Sequence, residues 1–167
     1  MAIRGRIGGA LDGRDITCSV QGNSISGRVG GAIFGWDISL QWQGYSVKGR
    51  MGGLFSGRDI VVSLNERDAS GRIGGLVDGV DVELVLSGAT ISGRCGGDVF
   101  GFDCSLQYEQ GSLSGRLGGE VFGKDVVLWL QPGVNPLLGA LLACSVFYYM
   151  QIQSRNSSSG SGSHSGR

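Results

Sequence analysis

Between residues 3 and 131 apolar side chains alternate with polar or small ones in runs of six to eight, and the runs are separated by glycine-containing breaks about 11 residues apart. Such a period of two is the mark of half-buried β-strands, and regular breaks mark the turns between them. The second copy, Ser24 to Tyr45, shows two such breaks, Phe34-Gly35 and Gln43-Gly44. The pattern also repeats as a whole, every 22 residues. Gly-Arg recurs at Gly5-Arg6, Gly27-Arg28, Gly49-Arg50, Gly71-Arg72, Gly93-Arg94 and Gly115-Arg116, each followed by an apolar residue and Gly-Gly. Each copy then carries Gly-x-Asp, ending at Asp15, Asp37, Asp59, Asp81, Asp103 and Asp125. Six copies without an insertion define a repeat architecture of six β-hairpins.

Asp12-Gly13 and Asp78-Gly79 have the composition of two-residue hairpin loops, which need positive φ where glycine supplies it. A loop at 12-13 pairs Leu11 with Arg14, Gly9 with Ile16, Ile7 with Cys18 and Gly5 with Val20. A Gly22-Asn23 tip pairs Val20 with Ile25, Cys18 with Gly27 and Ile16 with Val29. In both cases partners share one face, so a single apolar face runs through twelve strands. On it glycine stands opposite large residues, which predicts grooves open to another element. The polar face carries the arginines and aspartates. This register sets Arg28 diagonal to Asp15, and likewise Arg50 to Asp37, Arg72 to Asp59, Arg94 to Asp81 and Arg116 to Asp103, with Arg6 and Asp125 left to meet if the sheet closes. Closure also removes exposed strand edges.

The pattern changes after residue 131. Asn135-Pro136 suits a helix start, and Leu137 to Met150 is apolar on every side. A helix apolar all round is buried all round. Twelve strands enclose a wider lumen than eight, so the helix is read as the plug of a closed barrel, over about 136–152. Strand direction makes it enter at the rim opposite the Phe-Gly tips, carry Leu141 and Leu142 through the middle, and bring Tyr148 to Met150 out beside Trp36. The fold predicted is all-β with one helix: a closed twelve-stranded antiparallel barrel of six 22-residue hairpin repeats around a central C-terminal hydrophobic α-helix. Residues 1–152 form that domain, and 153–167 form a disordered Ser/Gly-rich tail. The competing reading of the apolar run is a membrane tail anchor. A 22-residue β-solenoid and a trefoil of paired repeats remain as other architectures.

Composition narrows function more than it identifies it. With 14 Lys and Arg against 14 Asp and Glu, no net basic field favours nucleic acid. Glycine, at 33 of 167 residues, lacks the three-residue period of collagen. Cys18, Cys95, Cys104 and Cys144 occupy apolar repeat positions without CxxC spacing, and the single histidine, His164, lies in the tail. Metal sites and histidine-dependent catalysis are therefore not expected, nor is any cofactor. The Gly-Arg-x-Gly-Gly segments lie between strands rather than before a helix, unlike phosphate loops. Six identical Arg/Asp sets read as structure rather than one asymmetric active site, so no enzyme activity is expected. Free buried thiols and a Met1-Ala2-Ile3-Arg4 start leading directly into repeat one predict a cytoplasmic monomer without a signal peptide.

One patch breaks the symmetry. Phe34, Trp36, Phe100, Phe102 and Phe122 flank the glycine tips of one rim, together with Arg14, Arg58 and Lys124. Aromatics beside cations suit a lipid interface. Parity turns Trp36 and Phe102 inward, which gives the alternative of a hydrophobic cap round the helix end.

Six hairpins followed by Pro136-Leu137-Leu138-Gly139-Ala140-Leu141-Leu142-Ala143 resemble the tubby C-terminal fold and its relatives, the phospholipid scramblases and LURP-one-related proteins. The resemblance implies a non-enzymatic module that binds a lipid surface or a protein partner, peripheral at a membrane, with anionic lipid head groups as the lipid ligand. The chain departs from the family in its strict period and short turns. Tubby domains use basic side chains for head groups, whereas Lys48 and Lys124 are the only lysines here. No head-group residue carries over. A purely structural scaffold and a tail-anchored protein with a glycine-rich β ectodomain are the alternative functions.

Overall fold

A computed structural model describes residues 2–99 and 101–160. Among the described residues, twelve strands and one helix follow one another. The strands are β1 (Ile3–Ile7), β2 (Arg14–Gln21), β3 (Ser24–Gly30), β4 (Gly35–Gln43), β5 (Ser46–Met51) and β6 (Arg58–Leu64), then β7 (Asp68–Ile73), β8 (Val80–Ser87), β9 (Thr90–Cys95), β10 (Phe102–Glu109), β11 (Ser112–Leu117) and β12 (Lys124–Leu130). The helix, α1, is Pro136–Ser158. Each strand pairs antiparallel with its neighbours in sequence, and β12 pairs with β1 from Ile3↔Leu130 to Ile7↔Val126, closing the barrel. No strand edge is left to recruit another chain.

The two kinds of turn follow different rules. At the short turns the register is Val20↔Ile25, Cys18↔Gly27 and Ile16↔Val29, as the alternation predicts. At the other rim it is Ile7↔Arg14, Arg6↔Asp15, Gly5↔Ile16 and Ile3↔Cys18, four residues away from the two-residue-loop expectation. The slip is even, so every side chain keeps its face and the core prediction survives it. A six-residue loop, 8–13, replaces the tight turn. Gly8 opens it at φ 91°, a left-handed conformation that disfavours side chains. Gly13 N–H donates to Gly9 O at 2.9 Å, and the Arg6 guanidinium donates to Gly9 O and Ala10 O. Arg28, Arg50, Arg72, Arg94 and Arg116 donate in the same way to carbonyls of their own loops.

The grooves predicted beside the Gly-Arg glycines are filled from within the sheet. A Cβ on Gly5 would come 2.0 Å from Val127 O and 2.8 Å from Leu128 Cδ2, and one on Gly49 2.0 Å from Ser39 O and 2.6 Å from Leu40 Cδ2. The neighbouring strand and its leucine, rather than the helix, occupy the space each glycine leaves.

Helix α1 runs through the lumen with Leu137 to Met150 buried without interruption. Asn135 caps it, its Oδ1 accepting from Leu137 N–H at 2.9 Å while its Nδ2 donates to Asn65 O. Pro136 occupies the first turn, where its missing N–H costs nothing. The one buried polar side chain there, Ser145, bonds back to Leu141 O at 2.8 Å. The run that a membrane anchor would need is thus spent inside the barrel. The helix also continues six residues past its expected end. Residues 153–158, assigned to a disordered tail from composition, extend it, because adding residues to an existing helix is far cheaper than starting one. Ser157 and Ser158 hydroxyls bond to Gln153 O and Ser154 O on the way. His164 lies outside the described residues.

Candidate functional site

The six long loops stand at the rim where the helix emerges. Their strand-entry positions are Arg14, Trp36, Arg58, Val80, Phe102 and Lys124, and these turn towards the helix end, as parity requires. Phe102 is buried edge-on against Phe147, with centroids 4.6 Å apart at 80°. The Trp36 ring lies 4.8 Å from that of Tyr149, and Arg14 sits over the indole with its guanidinium carbon 5.9 Å from the ring centroid. Tyr149 Oη donates to Ser56 O at 3.2 Å and Tyr148 Oη to Asp78 O, which fastens the helix to two loops. Burial raises the Tyr148 pKa, with Asp78 adding to the effect and Arg58 opposing it. The helix direction is therefore the one the strand order dictates. Phe102 is buried against the core at the helix end, and Trp36 packs on it half-buried.

The charges at this rim are arranged differently from the sequence expectation. The diagonal pairs between neighbouring hairpins, Arg28 with Asp15 and its equivalents, do not form, nor does Arg6 with Asp125. The true register puts each arginine directly opposite the aspartate of its own repeat, giving Arg6–Asp15, Arg28–Asp37, Arg50–Asp59, Arg72–Asp81, Arg94–Asp103 and Arg116–Asp125 at 2.6–2.8 Å. Pairs between hairpins involve the candidate cations instead. Arg58 meets Asp78 at 3.2 Å, and Lys124 meets Asp12 across the closing seam between repeats six and one. The Lys124 ammonium, and then the Gly9 N–H, hold the Asp12 carboxyl below its ordinary value. Arg14 faces Phe34 at the equivalent position and has no carboxylate partner among the described residues. Its NH1 donates to Gly13 O at 3.0 Å, and its Nε is buried without a hydrogen bond. A cavity of about 720 Å³ between the helix extension and the loops of repeats one and six brings Arg14, Lys124 and Arg155 together.

The outward-facing candidates are Phe34 and Phe122, both on loop crests. Phe100 lies outside the described residues. The larger apolar feature was not singled out from sequence. Ile33-Phe34, Leu54-Phe55 and Leu76-Val77 crown three adjacent loops, and each of the six side chains is at least 81 % exposed. Val121-Phe122 of repeat six are a fourth exposed pair, beside Glu120, while Leu11 and Val99 continue the ring next to Asp12 and Asp98, as Val77 does next to Asp78. The signal in the sequence was the adjacency itself: two consecutive apolar residues cannot both face the core of an alternating strand, so Ile33-Phe34, Leu54-Phe55 and Leu76-Val77 had to leave it. The two-residue-loop register hid this by drawing Ile33, and both residues of Leu54-Phe55 and Leu76-Val77, into strands.

No cluster of metal-ligating side chains occurs among the described residues. The buried thiols of Cys18 and Cys144 are held protonated, Cys18 by burial, which takes its pKa to about 12, and Cys144 by contact with Cys104 and Cys95 and by burial. No protein-family model, curated protein or solved structure matches the chain.

Proposed function

We propose that the barrel is a non-enzymatic membrane-docking module that seats its long-loop rim in the interface of a lipid bilayer. The observation that carries this reading is the apolar arc of Ile33, Phe34, Leu54, Phe55, Leu76 and Val77. Fully burying one such side chain contributes roughly 1.5–3 kcal/mol, so partial insertion of six supplies the gain needed for reversible attachment. Contiguous apolar crests of this kind are uncommon on a monomer surface unless they meet something. They stand on the crests of separate loops, and only Ile33 and Phe34 border a depression, shared with Arg14, which suits a broad fluid surface better than a peptide.

Charge plays a smaller part than a head-group receptor would require. The six repeated arginines are neutralised in place by their own aspartates, and Arg58 and Lys124 by Asp78 and Asp12. Among the described residues Arg14 and Arg155 are the cations left at this rim without a carboxylate, while Asp98 and Glu120 sit on the crests of repeats five and six. Attachment is therefore apolar in origin, with a weak dependence on anionic lipid and on salt.

Flotation with vesicles tests this. The full chain floats with zwitterionic vesicles, gains little from added phosphatidylserine, and is lost from the floating fraction when Leu54 and Phe55 are both replaced by serine. A chain that floats only with anionic lipid would instead make the cations the receptor. One that never floats but self-associates through the same residues would make the arc a protein contact.

A further inference from the structure

The helix does not follow the barrel axis. It packs most closely on β6 to β12 and β1, and stands off from β2 to β5. Gly139 explains the offset. A Cβ there would come 3.0 Å from Leu130 Cδ2 and 3.3 Å from Leu113 Cδ2, so a residue without a side chain lets the helix settle against β11 and β12. At the long-loop end the gap left on the far side is filled by Trp36 against Tyr149. At the short-turn end it stays open. A cavity of about 440 Å³ lies there between the helix and the wall, with Val20, Trp42, Val47, Leu64 and Leu138 as its apolar lining. That volume is in the usual range for a small-molecule site.

The mouth selects for charge. Tyr45 and Glu66 stand there, and Glu66 is the one charged residue among the described residues lining the cavity. An anion finds no donor at the nearby helix start. Leu137 N–H is bonded to the Asn135 side chain and Leu138 N–H to the Asn135 carbonyl at 3.0 Å, while Pro136 has no N–H. The helix dipole places about half a positive charge at this end, which the full negative charge of Glu66 outweighs. The Trp42 and Tyr45 rings supply the π-faces that attract an ammonium.

We propose that this cavity binds an organic ammonium with an apolar body. The body lies against Val20, Trp42, Val47 and Leu138, and the ammonium stays at the mouth between the rings and Glu66. The site is at the opposite end from the proposed membrane rim and stands independently of it.

Calorimetric titration of the full chain with octyltrimethylammonium, octanol and octanoate, all at up to about 1 mM, tests the assignment. The expected order is the ammonium tightest, octanol weaker and octanoate weakest, with a stoichiometry of one. Glu66→Gln lowers the ammonium affinity about tenfold and leaves octanol unchanged. Val47→Trp fills the cavity and removes all three. Should that variant fail to fold, Trp42→Leu replaces it, with loss of the ammonium's advantage over octanol as the expected result. Phe55→Ser, on the other rim, leaves the titration unaltered. Octanoate binding as tightly as the ammonium, an unchanged ammonium affinity in Glu66→Gln, or no saturable binding of any of the three would overturn the proposal.

Discussion

The two rims are made by the same six repeats, yet they differ in almost every physical respect. At the short-turn rim the chain reverses in two residues, as at Gly22-Asn23, and the ladder runs to the turn. At the long-loop rim it reverses over six residues, and an arginine from the strand satisfies the loop carbonyls while pairing with the aspartate opposite. A loop held by a side chain no longer needs its crest for folding. Its crest residues are therefore free to be apolar and exposed, and the long loops carry such residues, whereas at the two-residue turns only Tyr45 of the 44–45 turn is a large exposed apolar side chain among the described residues. The difference teaches where a repeat protein can vary: Asp12, Phe34, Ser56, Asp78 and Phe122 share one repeat position and differ in chemistry, whereas the Gly-Arg beneath them does not change.

The barrel between the rims makes the comparison possible, and its disruption has the largest effect. Leu141→Asp would bury an unpaired carboxylate at the centre of both β-barrel and helix, at a cost of several kcal/mol, and circular dichroism should show no folded protein. Next in size is a test of the wall. Gly49→Ala puts a Cβ 2.0 Å from Ser39 O and should cost about 1–3 kcal/mol, whereas Gly31→Ala meets no atom within 4 Å and should leave the urea midpoint within experimental error. Equal midpoints would mean that the strand opposite Gly49 yields to a methyl group without cost.

Arg50→Ala sharpens the contrast between rims. It removes a 2.6 Å ion pair to Asp59 and hydrogen bonds to Gly53 O and Leu54 O, so it should cost about 1–2 kcal/mol, more than an exposed ion pair alone. Hydrogen exchange should quicken in loop 52–57 and stay unchanged at the 44–45 turn. The smallest effect is electrostatic. Lys124 keeps the Asp12 pKa below 3.8, so the stabilisation from this pair is present above the unfolded value and fades as pH falls through the lower folded value. The difference in stability between the native chain and Asp12→Asn should be constant at neutral pH and vanish in acid.

Much of this was legible in the sequence, for reasons that differ by region. Period-two alternation identifies strand faces whatever the register, which is why Ile16, Cys18 and Val29 were placed in the core and are buried there. An apolar stretch such as Leu137 to Met150 has one outcome in a barrel too wide to fill itself, and the strand order then decides its direction. The long-loop register was not legible, because Asp12-Gly13 is a good tight-turn signal locally. The competing stabilisation comes from Arg6 reaching across the loop, a contact that no local pattern displays. The salt-bridge partners and the apolar crests were misplaced or missed for that single reason. The helical extension over 153–158 was hidden by composition, since Ser and Asn disfavour starting a helix but do not prevent one already formed from continuing.

The account rests on the long-loop rim, and not the short-turn rim, entering a bilayer. Single cysteines placed at position 55 and at position 23 in a chain whose buried cysteines are protected by the fold, each labelled with an environment-sensitive fluorophore, measure this directly on addition of zwitterionic vesicles. A blue shift and a rise in intensity at position 55, with no change at position 23, is the predicted result; no change at position 55, or equal changes at both, would contradict it.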